Sequence, residues 1–347
     1  MSMRRLRRTT TLPALAAAAA ALLLAGCGGS DGGSSTGDAP APRGPSSAKL
    51  RTELDRATKV TATSFPATGG RTLRQVADSL DGTGPQVAFA TQTIVPGPKQ
   101  RLAFGIVDAK TGFVYAPTAL YIATAENAKA SGPYTAPADL LITDPPFRSQ
   151  NAATESDPFA AIYETTAPFA KPGQYPVLAV SVINGKRVGA AGLITVSSAQ
   201  SDDVPDVGEA APKVATDTVA SAGGDLKKID TRVPPSDMHE VSLKDELGKK
   251  PIALLFATPQ LCASRVCGPV VDIAAQLKKT YGSRMEFIHQ EVYVDNVVSK
   301  GLRPPLQSFK LRTEPWLFII DKDGKVTSRM EGSFGFRAFE EAIKTGL

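Results

Sequence analysis

The chain has 347 residues, with 39 Lys and Arg, 34 Asp and Glu, three Cys, two His and 42% hydrophobic residues. This composition excludes wholesale disorder, and the length predicts two domains joined by linkers. No apolar run reaches the ~18 residues of a membrane-spanning helix. Four basic residues lie within residues 1–26, which hold no acid, and the other 35 nearly balance the 34 acids. The charge therefore favours neither nucleic acid nor an anionic membrane surface as a partner.

Residues 1–26 have the order of features that is typical of a secretory signal. A cationic start over residues 1–8 precedes an apolar run over residues 14–24, which is too short to span a bilayer. The sequence Leu24-Ala25-Gly26-Cys27 follows it and resembles the lipobox of bacterial lipoproteins. That resemblance implies an exported protein that is anchored to the cell membrane by acyl chains, such as palmitate, on Cys27. Two or more acyl chains hold a protein stably at a membrane. A plain signal peptide with an unmodified Cys27 is the alternative.

The segments after the signal change in composition. Residues 27–47 are rich in Gly, Ser, Pro and Asp, which predicts a flexible tether. Leu50, Leu54 and Ala57 stand at helical spacing, which predicts an amphipathic helix at residues 48–59, within a helical and irregular lead-in over residues 48–85.

Residues 86–198 are predicted to form an all-β sandwich, because short β-rich runs alternate there with Pro and Gly punctuation. The candidate strands are residues 86–94, 101–107, 120–124, 161–165, 177–183 and 188–196. Asn184-Gly185 predicts a type I′ hairpin turn. The Pro-Gly-x-Tyr sequence of residues 172–175 resembles bacterial immunoglobulin-like modules of exported proteins. This resemblance implies a spacer or protein-binding module, since the strands hold no cluster of chemically active side chains.

Residues 199–237 are rich in Asp, Pro, Ala and Ser and are predicted to be a linker. Residues 238–347 predict an α/β domain, because a buried strand, a helix and a second strand precede a hairpin and a final helix. The predicted elements are residues 251–257, 262–281, 285–294, 315–320 and 325–330, and a helix with Phe336, Phe339 and Ile343 on one face. This β-α-β then β-β-α order resembles the thioredoxin fold.

Three further features resemble thioredoxins. Cys262 and Cys267 stand where the first strand gives way to its helix, Pro269 lies where the family has a kinking proline, and Glu314-Pro315 precedes the hairpin where the family places a cis-proline beside the active-site sulfur. The resemblance implies a thiol–disulfide oxidoreductase that acts on exported proteins with thiols or disulfides and needs no cofactor. Its site residues would be Cys262, Cys267 and Pro315.

The sequence departs from thioredoxins at several positions. The cysteines are spaced Cys-x₄-Cys, Leu261 replaces the tryptophan before the first cysteine, and Leu255 stands near the place of the buried acid. Glu314 is the candidate that would replace that acid as proton acceptor. Cys-x₄-Cys also resembles the peroxidatic and resolving pair of one peroxiredoxin class, so a peroxidase is an alternative. A redox-silent binding protein with a structural disulfide is another, and a copper chaperone using His289 is a third.

Helix geometry limits where the two thiols lie. Residues five apart in a helix are separated by ~7.5 Å of rise alone, whereas a disulfide needs Cα atoms within about 7 Å. Cys262 is therefore expected ahead of the first full turn, or else the turn must loosen when the thiols are oxidised. If Cys262 precedes the helix, free amides and the helix dipole, with Arg265, would lower its pKa. Cys267 is expected one and a half turns inside the helix, as the more buried resolving partner.

Acylation of Cys27 has a direct test. The exported wild-type chain is expected to partition into the detergent phase, because acyl chains favour an apolar medium. Cys27→Ser is expected to stay in the aqueous phase or to remain unprocessed. Phase separation followed by immunoblotting measures both, and equal partitioning of the two forms would contradict the lipoprotein interpretation.

Overall fold

The computed structural model describes residues 47–155, 159–262 and 264–347. The predicted signal, Cys27 and nearly all of the predicted tether lie outside these residues. The described chain begins with α1 (Ser47–Thr58), one residue earlier than predicted, and continues through α2 (Leu73–Asp78). Leu50, Leu54 and Ala57 of α1 are buried against the first β-rich region, as their spacing predicts.

Two sheets form the first β-rich region, called here the first lobe. One sheet has the strand order β1-β10-β9-β5-β6, and the other has β2-β3-β8-β7 with β4 added to β3. The strands are β1 (Gly82–Thr83), β2 (Gln86–Phe89), β3 (Gly97–Asp108), β4 (Gly112–Phe113), β5 (Thr118–Ile122), β6 (Ser131–Thr135), β7 (Ala138–Leu140), β8 (Ala161–Phe169), β9 (Gly173–Ile183) and β10 (Lys186–Val196). Side chains of both sheets share one hydrophobic core, so the first lobe is a two-layer β structure.

Strand ends in the first lobe differ from the sequence prediction. Strand β2 ends at Phe89, not at residue 94, and β9 starts at Gly173, four residues before the predicted strand. The strands β1, β4, β6 and β7 were not predicted, because runs of two to five residues carry too little alternation to detect. The Asn184-Gly185 turn is confirmed, since both residues have positive φ and the flanking Ile183 and Lys186 pair directly.

The elements of the second lobe are α3 (Leu243–Glu246), β11 (Ile252–Phe256), α4 (Cys267–Tyr281), β12 (Glu286–Gln290), α5 (Pro304–Ser308), β13 (Trp316–Ile320), β14 (Val326–Glu331) and α6 (Phe336–Gly346). Its strands form one sheet with the order β12-β11-β13-β14. Strand β12 runs parallel to β11, whereas β13 is antiparallel to both β11 and β14. This connectivity is the predicted thioredoxin-like arrangement.

Both faces of this sheet are covered, which explains the continuous apolar run of β11. Ala253 and Leu255 face the core that contains α4 and α6, whereas Ile252, Leu254 and Phe256 face a second core on the other side. A strand that is buried on both faces loses the alternation of a half-exposed strand. The apolar run thus identifies β11 as a central strand.

Helix α4 begins at Cys267, five residues later than the predicted start at residue 262. Arg265 has a φ of +61°, a left-handed conformation that an α-helix does not contain. Pro269 is therefore the third residue of α4, where its missing N–H would have no partner within the helix in any case. The prediction that Cys267 lies one and a half turns inside is wrong, because Cys267 is the first helical residue.

Residues 199–237, predicted to be a linker, pack along the second lobe. The N–H of Gly208 donates to the carbonyl of Val326 at 2.8 Å, and the N–H of Ala211 donates to that of Gly324 at 2.9 Å. Farther along, the side chains of Asp230, Arg232 and Ser236 are buried. Polar side chains of this segment are therefore buried and form hydrogen bonds. The segment is similar to a linker only in that its described residues form no long helix or strand.

The two lobes are joined by hydrogen bonds between them. Asp139 of β7 accepts the N–H groups of Arg337 and Ala338 at 2.9 and 2.8 Å, and so caps the first turn of α6. Arg101 of β3 donates to the carbonyl of Glu331 at 2.8 Å. The described residues belong to one compact unit. Within them, none of the helices has both the length and the apolar character needed to cross a membrane.

Candidate functional site

The two described cysteines lie together at the junction of β11 and α4. Cys262 stands in the loop before the helix with 8% of its surface exposed, and Cys267 is the first residue of α4 with none exposed. Both thiols are free, and both belong to the core beneath α4 and α6. The structure thus brings the two predicted residues together, both of them buried, and makes Cys262 the less buried of the two.

The loop conformation explains why Cys262 lies off the helix. The N–H groups of Leu261 and Cys262 both donate to the carbonyl of Thr258, at 3.3 and 3.2 Å, and the N–H of Arg265 donates to the carbonyl of Cys262 at 3.2 Å. These bonds form successive turns that end where Val270 begins the helical pattern by donating to Val266. Cys262 therefore precedes the first helical turn, as the limit on helical rise predicts.

Hydrogen bonds lower the pKa of Cys262 to about 6. The main donor is the Cys267 thiol, and burial acts in the opposite direction. Ser264 contributes a further bond, with its Oγ 3.2 Å from the sulfur of Cys262, and the backbone N–H groups of Cys267 and Ser264 also donate. The predicted effect of free amides is confirmed, whereas Arg265 is exposed and its charge is not among the causes.

The pKa values of the two thiols are shifted in opposite directions. Burial raises the pKa of Cys267 well above its ordinary value, and the hydrogen bond to Cys262 raises it further. Near neutral pH the pair therefore holds one proton, on Cys267, while Cys262 is a thiolate. A thiolate is the reactive form of cysteine, so this asymmetry distinguishes an attacking sulfur from a protonated partner.

Glu314 and Pro315 lie immediately before β13, the strand that pairs with β11. The Glu314–Pro315 peptide bond is cis, and Pro315 is buried. Burial, and then the negative charge of Cys262, raise the pKa of Glu314 to about 7. A carboxyl with this pKa can accept and release a proton at neutral pH, which supports the expected role of Glu314 as proton acceptor.

The position of the absent thioredoxin acid is apolar. Leu255 is 1% exposed and pairs with His289 of β12 and Leu317 of β13. Leu255 cannot carry a proton. Glu314, in contrast, is an acid that is electrostatically coupled to both thiols.

The first lobe contributes one wall of the site, a contact that has no periodic signal in the sequence. The side-chain amide of Asn151 donates to the carbonyl of Pro259 at 2.9 Å. A Cβ atom on Gly268 would lie 2.8 Å from the backbone oxygen of Asn151, so only glycine fits next to Cys267 without a shift. Ala153 belongs to the same core as both cysteines. The glycine after Cys267 was the available sequence signal for this close approach.

His289 belongs to a different cluster from the cysteines. Its Nδ1 lies 3.6 Å from Oδ2 of Asp230, which is also 3.1 Å from Nε2 of His239. In the described part of the chain, this trio is the group whose ligand atoms converge as a metal site would require. The copper-chaperone alternative needs His289 together with the two thiols, and the structure instead places His289 with Asp230 and His239.

No family model matches the chain, and no curated protein matches it. Among solved structures, a protein designated as thiol:disulfide interchange protein DsbE from Chlorobium tepidum is 17% identical, with a TM-score of 0.30, and covers 41% of this chain and 98% of its own. A thioredoxin-family thiol:disulfide interchange protein from Chlorobium tepidum TLS is 18% identical, with a TM-score of 0.28, and covers 40% and 94%. A thioredoxin-like protein in its oxidised form is 14% identical, with a TM-score of 0.26, and covers 30% and 82%.

Likenesses at these scores carry no argument about activity. The assignment of a thioredoxin-like fold rests on the strand order β12-β11-β13-β14 and on the connection of β11 through α4 to a parallel β12.

The lowered pKa of Cys262 has a direct test. Alkylation of Cys262 is expected to rise with pH through a midpoint of about 6, against ~8.5 for an ordinary thiol. Cys267→Ala removes the main hydrogen-bond donor and should move the midpoint up by about one pH unit or more. Arg265→Ala is the control, with a change below about 0.3 unit because an exposed charge is screened. Peptide-resolved alkylation rates provide the measurement, and a wild-type midpoint above about 8 would contradict the geometry.

Proposed function

We propose that this chain is a membrane-tethered, extracytoplasmic thiol–disulfide oxidoreductase that uses the Cys-x₄-Cys pair. The observation that carries the proposal is the asymmetry of the pair. Cys262 lies ahead of α4 as a stabilised, partly accessible thiolate, and the buried, protonated thiol of Cys267 donates a hydrogen bond to it. A structural disulfide needs no such difference between its two sulfurs.

In the first step, the Cys262 thiolate attacks one sulfur of a partner disulfide. A bond forms between Cys262 and that sulfur, and the partner's second sulfur leaves as a thiolate, which takes a proton from solvent. Consumption of the Cys262 negative charge removes one cause of the raised pKa of Glu314. Glu314 therefore becomes a stronger acid at this stage, although its burial still raises its pKa.

In the second step, Cys267 attacks the sulfur of Cys262. Cys267 must lose its proton first, and the Glu314 carboxylate is the acceptor that we propose. The new bond joins Cys262 to Cys267, the partner's remaining sulfur leaves and takes up a proton, and two electrons have passed to the partner. Run in reverse, the same steps oxidise a partner dithiol. Since both electrons come from the thiols, the reaction needs no cofactor.

The proposed location at the membrane is based on the sequence before the described residues. Residues 1–27 support export and acylation at Cys27, and residues 28–46 would form a tether between the membrane and α1. The expected partners are exported proteins with thiols or disulfides, and the first lobe is proposed to be an immunoglobulin-like module. Its Asn151 loop lies against Pro259 and Gly268, so we propose that it also shapes the surface that a partner meets.

The catalytic assignment is tested by trapping. Full-length Cys267→Ser, produced in a bacterial host that exports it, is expected to accumulate reducible mixed disulfides with partner proteins through Cys262. No resolving thiol remains in this variant to release them. Cys262→Ser is the matched control and should trap nothing, because Cys267 has neither exposure nor thiolate character. Acid quenching and non-reducing electrophoresis provide the measurement.

Other outcomes would overturn the proposal. Rapid conversion of Cys262 to sulfenic acid by dilute peroxide in Cys267→Ser, without trapped partners, would identify a peroxidase instead. If neither variant traps a partner or reacts with peroxide, and both only lower the melting temperature, the pair is a structural disulfide. The oxidoreductase proposal would then be wrong.

A further inference from the structure

Both histidines of the chain converge on one carboxylate. The sequence contains two histidines in 347 residues. His239 precedes α3 and His289 lies in β12, yet both side chains are fully buried beside Asp230, with ring centres 5.1 Å apart. Nε2 of His239 lies 3.1 Å from Oδ2 of Asp230, and Nδ1 of His289 lies 3.6 Å from the same oxygen. The three ligand atoms all lie within 4.8 Å of one another.

A backbone carbonyl fixes the tautomer of His289. Its Nε2 lies 3.0 Å from the carbonyl oxygen of Ala257, which can only accept, so Nε2 carries the hydrogen. Nδ1 of the neutral ring then carries a lone pair. This atom is buried, makes no hydrogen bond and faces the carboxylate oxygen of Asp230. Two acceptors that face each other in a dry interior are unfavourable unless a proton or a metal cation lies between them.

The carboxylate is oriented by its own hydrogen bonds. Oδ1 of Asp230 accepts the N–H of Arg232 at 2.8 Å, and Oδ2 accepts the N–H and hydroxyl of Ser236 at 2.7 and 2.8 Å. Outer hydrogen bonds of this kind, like the one from His289 to Ala257, are what orient ligands around protein metal ions. The Asp230 carboxylate is thus held by residues 232–236 and the His289 ring by Ala257, whereas Nδ1 of His239 is buried without a hydrogen-bond partner.

The two distances from the Asp230 carboxylate fit a small divalent ion. With metal–ligand bonds of about 2.0–2.2 Å, neighbouring ligands in a tetrahedral zinc site lie about 3.3–3.5 Å apart. The distances from Oδ2 to the two histidine nitrogens, 3.1 and 3.6 Å, lie on either side of that range. Two imidazoles and a carboxylate suit a borderline ion such as zinc, whereas copper(I) prefers sulfur, which this cluster lacks.

We propose that Asp230, His239 and His289 bind one zinc-class divalent metal ion through Oδ2, Nε2 and Nδ1. Two neutral imidazoles and one carboxylate leave a single positive charge on the complex. Glu291, a buried acid two residues after His289, accepts the N–H of Thr231 at 2.7 Å, and its negative charge acts on both histidines and offsets this charge. Through His289 and Ala257, the ion would tie residues 230–239 to the strand that leads into the Cys262 loop. The site uses neither cysteine, so it does not depend on the proposed function.

The test uses the full chain with Cys262→Ser and Cys267→Ser, because free thiolates also bind zinc. The protein is stripped with a chelator and titrated with zinc in a calorimeter, and bound metal is measured after desalting. One equivalent of zinc is expected, with a melting temperature that rises with zinc concentration, because binding to the folded state alone stabilises it. Cobalt(II) in place of zinc should give the visible spectrum of a tetrahedral nitrogen–oxygen site.

Single substitutions locate the ion. Asp230→Asn and His239→Gln, in the same thiol-free chain, should each weaken zinc binding at least about 100-fold. Asp217→Asn is the matched control, since Asp217 is bonded to Gln290 beside His289 but lies outside the trio, and its affinity should stay within about threefold. If His239→Gln does not fold, the isosteric Asp230→Asn and the cobalt spectrum decide.

Two results would overturn the proposal. If the thiol-free chain binds no zinc and its melting temperature does not respond to zinc, the cluster is a hydrogen-bonded network with a proton between Asp230 and His289. If zinc binds but Asp230→Asn and His239→Gln leave its affinity unchanged, the ion lies elsewhere.

Discussion

The buried ion pair between Arg232 and Asp272 joins the three parts of the chain that build the cysteine site. Nε of Arg232 lies 2.8 Å from Oδ1 of Asp272 in α4, and the same guanidinium donates to the carbonyl of Phe147 in the first lobe at 2.7 Å. Ser149 donates to the other oxygen of Asp272. Removal of one partner from such a pair leaves a buried charge, at a cost of about 3–5 kcal/mol. The helix with Cys267, the segment around residue 232 and the first-lobe loop therefore hold one another in place.

This fixed framework explains how a Cys-x₄-Cys spacing brings two thiols into contact. In a continuous helix, the rise over five residues would separate them, but α4 starts only at Cys267 and the preceding residues turn. The buried end of the pair is rigid because α4 is anchored through Asp272. The other end, Cys262, lies in a loop whose backbone N–H groups help to stabilise the thiolate. Reactivity here depends on short-range hydrogen bonds, not on a nearby positive charge.

Much of the second lobe could be predicted from sequence because its signals are local. A continuous apolar run marks β11, and the order of strands and helices gives the topology. The position of Glu314-Pro315 relative to β13 could be read directly. The start of α4 could not, since apolar residues at positions 266 and 270 fit both a helix and the end of a turn. The left-handed Arg265 decides between them, and no propensity rule predicts that conformation at an arginine.

Long-range polar contacts could not be predicted from the sequence either. Asp230, Arg232 and Ser236 lie in a segment whose composition is typical of a linker, and nothing in its local pattern shows that these side chains are buried. Asn151 likewise lies in a loop, and its contact with Pro259 depends on how the two lobes pack. The pairing of His289 with Asp230 joins residues 59 positions apart. Such contacts follow from the tertiary structure and carry no periodic signal in the sequence.

The central claim is that Cys262 and Cys267 exchange electrons with partner proteins, and the reduction potential of the pair tests it most directly. The chain is equilibrated in glutathione buffers of known ratio, and the fraction of disulfide is read by thiol modification and mass spectrometry. A stabilised Cys262 thiolate favours the reduced form, so the account predicts a potential above about −300 mV, in the range of catalytic pairs. A potential below about −300 mV, typical of structural disulfides, would contradict it.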